Sequence, residues 1–325
     1  MRFMGFIALV LTLVLEQLRP VPALTTLGSV VEAMADGAER EMNAGQWRHG
    51  LYAWLLLVGG LTLVVGLIYG LAKYFNVLAA LGVNVAVLYL TMGFRQFSHP
   101  FTEIQVALGA GDVDGARRVL TQWKREEDPT FDAHDLPVED VVRQAMERGV
   151  LLAHRHVFAV LFWFVLLSGP MGPVMYRLAE YVARRWNRPP RDGVTPDLFG
   201  DFAHRALQWI DWLPARMTAL GFAIVGDFEA TIYCWRQVAR KFVASGSVPA
   251  PDSRLVLLAA AGGALDTRLM TAAEVAGVFD EPGNEGAGLA EPDPNRLRSG
   301  VGLVWRALIL WLVLLLLLSL AGWLA

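Results

Sequence analysis

Residues 51–72 read LYAWLLLVGGLTLVVGLIYGLA, and this run contains no charged side chain. An α-helix rises 1.5 Å per residue, so roughly 20 apolar residues cross the approximately 30 Å hydrocarbon layer of a bilayer. Residues 301–324 form another long apolar run, with Arg306 near its start, where a long cationic side chain can extend to the interface. Both runs therefore predict membrane helices.

The composition agrees with a membrane protein. The chain has 325 residues, of which 55% are hydrophobic and only 18% are charged, whereas a soluble domain carries about 25% charged residues. The net charge of −3 argues against a nucleic-acid partner, because phosphate binding needs an excess of Lys and Arg. The single cysteine, Cys234, excludes an intramolecular disulfide and a cysteine-based zinc site, so we interpret it as an inert buried thiol.

Shorter apolar runs at residues 3–15, 77–93 and 157–174 alternate with polar segments. We predict an all-α, polytopic membrane protein with four or five membrane helices plus amphipathic helices. The predicted parts are N-terminal membrane helices within 1–93 (about 3–18, 51–72 and 77–93), a polar helical segment at 94–156, a membrane or re-entrant helix at 157–174, a polar amphipathic helical segment at 175–300 with a linker at 280–299, and a C-terminal membrane helix at 301–324.

Several residues within these runs carry structural expectations. Gly66 and Gly70 are four apart, a spacing that permits close approach of two helices. We expect Asn84 to hydrogen-bond another helix, because an unsatisfied amide in lipid is costly. The glycines and prolines of residues 169–173 predict an interruption after the apolar run, and residues 211–216 (DWLPAR) predict a break between two helices.

Five arginines follow the apolar run at 157–174, and the positive-inside rule places them, with residues 176–300, in the cytoplasm. They are Arg177, Arg184, Arg185, Arg188 and Arg191. If the run at 157–174 crosses the membrane, residues 94–156 lie outside; if it is re-entrant, they too are cytoplasmic. The sequence leaves both topologies open.

Recognised catalytic motifs are missing: the sequence has no Walker motif, no Gly-x-Gly-x-x-Gly beside a strand and no His-Glu-x-x-His. His154 and His156 are two apart, so they do not share a helix face and predict no metal pair. With Arg155 they form either an interfacial polar cluster or a site for an anionic head group or phosphate. His99 and Glu103 predict a buried pair if they are helical, or a helix N-terminal turn.

Several short sequence tracts, taken together, indicate a relationship to a known family. Residues 157–163 (VFAVLFW) and 169–173 (GPMGP) precede the DWLPAR tract and residues 226–229 (GDFE). Upstream lie residues 14–20 (VLEQLRP) and 112–120 (DVDGARRVL), followed by a helical pattern at 138–150. Over most of the chain, these tracts resemble the CobD/CbiB–AmpE superfamily of bacterial inner-membrane proteins.

This resemblance implies two different functions. The CobD/CbiB branch contains enzymes of cobalamin synthesis, which join an aminopropanol-type amine to a propionate of adenosylcobyric acid with ATP. The AmpE branch is associated with signalling linked to β-lactamase induction. The sequence departs from the polar tracts of the enzyme branch near 123–130, near 147–154 and after Tyr176. These departures favour an AmpE-like sensory or scaffolding role, with an adenosylcobinamide-phosphate synthase as the alternative.

The candidate site residues serve mainly the synthase alternative, in which carboxylates would bind Mg²⁺ and cations would bind phosphate. Mg-ATP is expected as cofactor in that alternative, and neither a catalytic residue nor a metal ligand is assigned. The candidate ligand- or phosphate-binding residues are Arg117, Arg118, His154, Arg155, His156 and Arg216, and the candidate acidic residues are Glu103, Glu147 and Asp211.

The expected partners are the lipid bilayer, a corrinoid or other anionic ligand, and another membrane protein. The expected location is the bacterial inner membrane, with several passes. A transporter is a weaker hypothesis, because intramembrane charges are scarce and no inverted repeat is evident.

Overall fold

The computed structural model describes residues 2–18, 26–187, 198–244, 252–271, 273–274 and 289–324. Over these ranges the secondary structure is helical, apart from one isolated bridge between Thr267 and Ala290. The all-α prediction is therefore confirmed. The helices are α1 (Arg2–Leu18), α2 (Thr26–Met42), α3 (Trp47–Phe75), α4 (Val77–Thr91), α5 (Phe94–Gly109), α6 (Val113–Arg125), α7 (Val138–Leu166), α8 (Met171–Trp186), α9 (Phe199–Val225), α10 (Phe228–Ala244), α11 (Ser253–Leu265) and α12 (Arg296–Leu324).

Within the described ranges, three helices are long and apolar enough to cross a membrane: Trp47–Phe75, Val138–Leu166 and Arg296–Ala321. Shorter apolar helices occupy Met4–Glu16, Val77–Thr91 and Ser253–Leu265. A membrane protein is thus confirmed. Residues 280–288 of the proposed linker at 280–299 lie outside the described residues, as do Arg188 and Arg191.

The chain divides into two compact units, of which the first comprises residues 1–93, 156–214 and 315–325. Its core lies where α2, α3, α8 and the start of α9 meet, with small buried residues such as Ala53 and Ala179 at the contact. A Cβ on Gly50 would lie 1.9 Å from the carbonyl oxygen of Phe199, so only glycine allows this approach. Arg185 of α8 forms a bidentate ion pair with Asp36 of α2, in which Arg185 Nε donates to Asp36 Oδ1 at 2.6 Å.

A sharp turn separates α7 from α8. Helix α7 ends at Leu166, Ser168 takes the left-handed conformation with φ of 50°, and α8 begins at Met171. A Cβ on Gly172 would lie 2.1 Å from the carbonyl oxygen of Trp163, so glycine permits α8 to pack closely on the end of α7. The interruption predicted from residues 169–173 is therefore present.

The second unit comprises residues 94–155 and 215–314. Within it, α11 packs against α10 and α7, and α6 packs against α5 and α7. A Cβ on Gly263 would lie 2.7 Å from the carbonyl oxygen of Ala230, so α11 and α10 meet at close range. Arg296 Nη1 donates to the carbonyl oxygens of Leu265 and Asp266, at 2.7 and 2.8 Å, and so caps the end of α11.

The break predicted at residues 211–216 is wrong, because α9 continues through Pro214. A proline inside a helix removes one backbone hydrogen bond, but the neighbouring turns are anchored. Asp211 accepts from the Tyr176 hydroxyl at 2.8 Å, and the Thr218 hydroxyl lies 3.0 Å from His154 Nδ1. The helix ends instead at Gly226–Asp227, where Asp227 Oδ1 accepts from the Ala230 amide at 2.9 Å and starts α10.

Candidate functional site

Ionisable side chains concentrate in the second unit, where the end of α6 meets α7 and the start of α11. We call this group the charged cluster, and it contains cations and acids in equal number. Its members are Lys124, Glu126, Glu127, Asp140, Arg143, Glu147, Arg148, Arg155, Arg254 and Glu274. Local sequence explains part of this arrangement, because Arg143 and Glu147 are four apart and share one face of α7.

Glu147 connects two helices within the charged cluster. Its Oε1 accepts from Arg254 Nη2 at 2.6 Å, and its Oε2 lies 3.7 Å from Arg143 Nη1. The Glu147 side chain is only 15% exposed, so these charge-assisted bonds act in a partly desolvated setting. Arg254 Nη1 also donates to Glu274, which makes Arg254 the bridge from α7 to residue 274.

Arg148 is the most deeply buried cation of the charged cluster, with a side chain that is 6% exposed. Its Nη1 donates to Glu127 at 2.9 Å, and its guanidinium stacks 5.2 Å from the Trp123 ring centre. Its Nε is buried without a hydrogen-bond partner among the described residues. Arg155 Nη1 lies 3.6 Å from Glu127, so both arginines converge on one carboxylate.

Burial and pairing change two pKa values at the edge of the charged cluster. Burial lowers the pKa of Lys124, and the nearby Glu147 only partly offsets this effect. Burial raises the pKa of Glu274, but hydrogen bonds from Arg254 and from the Thr271 backbone outweigh burial, so the pKa of Glu274 lies below its ordinary value. The environment therefore stabilises the ionised carboxylate of Glu274, whereas it destabilises the protonated amine of Lys124.

This arrangement suits the binding of an anionic group better than it suits metal binding. The arginines of α7 present several N–H groups to one region, and a phosphate or carboxylate could accept from the free Nε of Arg148. Magnesium ligation would need carboxylates that can turn towards the ion. The acids here are engaged by arginines, and within the described ranges no three potential ligands converge. The donor set does not fit a magnesium ion, so no reaction step is assigned to one.

The structure brings two of the sequence-predicted site residues, Glu147 and Arg155, into the charged cluster. Arg117 and Arg118 lie elsewhere, on a shallow surface of α6. There Arg117 donates to the carbonyl oxygen of Leu136 at 2.8 Å, and Arg118 is 75% exposed. These two arginines are not brought together with Glu147.

His154 and His156 belong to different compact units. His154 is buried against Thr218 in the second unit, whereas His156 is buried in the first unit. Asp211 accepts from Tyr176 within the first unit, and Arg216 belongs to the second.

The expected burial of the pair formed by His99 and Glu103 is wrong. Helix α5 does bring His99 Nδ1 within 3.0 Å of Glu103, but the two side chains are 69% and 51% exposed. Pro100 fits inside the first turns of α5, so the i, i+4 spacing is kept on a solvated face.

Sequence reasoning missed Arg148, Glu127, Arg254 and Glu274. Arg148 could have been found from its position on α7, because seven residues separate it from Arg155 and the two share a helix face. No local signal connects Arg254 to Glu147, since the contact spans 107 positions of the chain.

Apolar membrane helices and a partly buried cluster of arginines and glutamates together define an integral membrane protein with a candidate site for anionic groups. The chain matches the family description "CobD/Cbib protein" over residues 6–304. It therefore belongs to the CobD/CbiB family.

Two curated relatives are similar along most of their length. The cobalamin biosynthesis protein CobD of Stutzerimonas stutzeri (strain A1501) is 30% identical over 297 residues, which is 90% of this chain and 89% of the relative. The protein of the same name from Chromobacterium violaceum is 31% identical over 232 residues, 71% of this chain and 69% of the relative. No solved structure matches the chain. The AmpE part of the resemblance has no support in these findings.

Proposed function

We propose that this protein acts in cobalamin biosynthesis as a membrane-bound amide-forming enzyme. The observation that carries the proposal is the match to relatives named for cobalamin biosynthesis, one of which covers 90% of the chain. The amide would form between an aminopropanol-type amine and a corrinoid propionate, as the resemblance implies. In that reaction ATP phosphorylates the carboxylate and becomes ADP, the amine nitrogen bonds to the carboxyl carbon and loses a proton, and the activated oxygen leaves in inorganic phosphate.

The charged cluster supports an anionic substrate for this activity. Residues 123–130 and 147–154, where polar tracts of the family would fall, lie against each other through Arg148 and Glu127. Arg148 and Arg155 would neutralise a carboxylate or phosphate of the substrate, and Glu147 would hold Arg254 in place. A substrate anion would then replace Glu127 as the acceptor that these two arginines share.

A multi-pass protein of the bacterial inner membrane is the location that we propose. Three helices of sufficient length support it, together with the shorter apolar helices. Purified protein that stayed monodisperse without detergent or lipid would contradict this location.

Complementation of a bacterial strain that lacks the synthase tests the function. We expect the native chain to restore corrinoid-dependent growth and Arg155→Ala to abolish it, because a cation at the shared carboxylate is lost. Arg118→Ala is the matched control, since this exposed arginine should leave growth intact. The amount of each variant in the membrane is measured by immunoblot.

The outcomes separate two hypotheses. Absence of growth with the native chain at a normal membrane level would reject the synthase and favour the AmpE-like sensory or scaffolding role. Growth with both variants would keep the synthase but remove Arg155 from its site.

A further inference from the structure

A cavity of about 350 Å³ lies within the first unit, and none of its lining residues belongs to the charged cluster. Its wall is formed by residues of α1, α3, α4 and α7, by the turn at Ser168 and Gly169, and by the end of α12. The volume falls at the lower end of the roughly 300–1,000 Å³ typical of small-molecule sites. Most of the wall is apolar, with Phe6, Leu9 and Phe164 among its residues.

Two buried polar side chains contribute to this wall without bonding to each other or to the protein. Asn84 and Ser319 are each 2% exposed, and neither Asn84 Oδ1 nor Ser319 Oγ has a hydrogen-bond partner in the described structure. Asn84 was expected to bond another helix, so this is a correction. An unsatisfied amide or hydroxyl in an apolar setting costs on the order of 1–3 kcal/mol. A ligand that bonded both groups would remove this cost.

We propose that the cavity binds a neutral lipid-soluble molecule that carries one free hydroxyl group. Such a hydroxyl donates to Asn84 Oδ1 and accepts from the Ser319 hydroxyl, while the hydrocarbon part contacts Phe164 and its apolar neighbours. The left-handed turn at Ser168 and Gly169 belongs to the same wall and shapes it next to Tyr69.

The wall chemistry selects against other classes of ligand. Among the described residues, no Asp, Glu, Lys, Arg or His lines the cavity, so none of them would neutralise a phosphate or an ammonium group there. A hydrocarbon without polar atoms would leave both oxygens unsatisfied. An ester or ether could accept from Ser319 but has no proton to donate to Asn84 Oδ1.

Photo-crosslinking of the full chain in phosphatidylcholine nanodiscs tests this proposal. The probes are a twelve-carbon alcohol with a mid-chain diazirine and its methyl ether, in which a methyl group replaces the donating hydrogen. Because one hydrogen bond of about 1.4 kcal/mol corresponds to a tenfold change in affinity, we expect about tenfold more labelling by the alcohol. Mass spectrometry should place the labels within residues 164–169 and 315–319.

Variants test the two oxygens separately. Asn84→Leu should lower the tenfold preference towards equal labelling, while the hydrocarbon still binds. Ser319→Ala should lower labelling by both probes, because the alcohol and the ether alike accept from the Ser319 hydroxyl. Thr91→Val is the control on the same helix, because the Thr91 hydroxyl bonds to its own helix at Val87. It should keep the preference.

Three results would overturn the proposal. The first is equal labelling by alcohol and ether in the native chain, and the second is labelling outside the cavity wall. The third is an experimental density map in which water alone fills the cavity when the alcohol is in excess.

Discussion

Helices α3 and α7 have the same length and similar apolar character, yet they occupy different environments. In their most apolar segments, 17% of the residues are buried by the protein in α3 and 72% in α7. Helix α3 exposes large side chains such as Leu56 and Leu67, whereas α7 carries Glu147 and Arg148 near its apolar half. Hydropathy therefore identifies membrane helices, but lateral packing decides which helix supports the candidate site.

Truncation of one leucine on α7 and of one on α3 should give the largest difference in unfolding free energy between two variants. Leu161→Ala on α7 removes a fully buried side chain, and we expect a loss of about 2–5 kcal/mol in unfolding free energy. Leu56→Ala on α3, where the side chain is 68% exposed, should change it by less than about 0.5 kcal/mol. Denaturant unfolding in detergent micelles measures both. Equal losses would show that α3 is as tightly surrounded as α7.

Removal of a buried charge on α7 should have the next largest effect. Arg148→Ala leaves Glu127 without its main cation, and we expect a loss of about 2–3 kcal/mol, lowered by the partial exposure of Glu127. Arg118→Ala is the control on the neighbouring helix and should be nearly neutral. The same unfolding measurement applies, and stability unchanged in Arg148→Ala would mean that the pairing contributes nothing.

A methyl group added to α3 tests its buried side. Gly50→Ala would force a shift against the carbonyl oxygen of Phe199, at a cost of about 1–3 kcal/mol. Gly70→Ala, where an added Cβ has nothing within 4 Å, should be neutral or slightly stabilising through helix propensity. Thermal unfolding of both variants checks this, and a destabilised Gly70→Ala with an unaffected Gly50→Ala would contradict it.

The smallest expected effect is a pH dependence at the charged cluster. The folded-state pKa of Glu274 lies below 4.5, so its stabilisation is present above pH 4.5 and is lost as pH falls through the folded pKa. Glu274→Gln should therefore unfold at a lower temperature than the native chain at pH 7, and the gap should close towards pH 3. A gap that widened in acid would contradict the sign.

The sequence correctly predicts those features of the fold that depend on residues close together in the chain. The uncharged stretch 51–72 identifies α3, and the glycines and prolines at 169–173 identify the end of α7, because both signals are local. Proline at position 214 misleads, since packing on either side keeps α9 intact. The partner of Glu147 lies at position 254, and helical periodicity carries no information about such distant pairs.

The cap that Arg296 places on α11 has a consequence for how the chain can vary. Residues 266–268 and 290–296 are joined by the bond from the Arg268 amide to Ala290 at 2.9 Å and by the Arg296 contacts with Asp266. The two ends of the intervening segment are thus fixed together independently of its length. Each doubling of such a segment costs only about 0.6 kcal/mol in closure entropy. Insertions after Glu274 and before Leu289, including a reporter domain, should leave both joined ends and the contact of Arg254 with Glu274 in place during evolution and engineering.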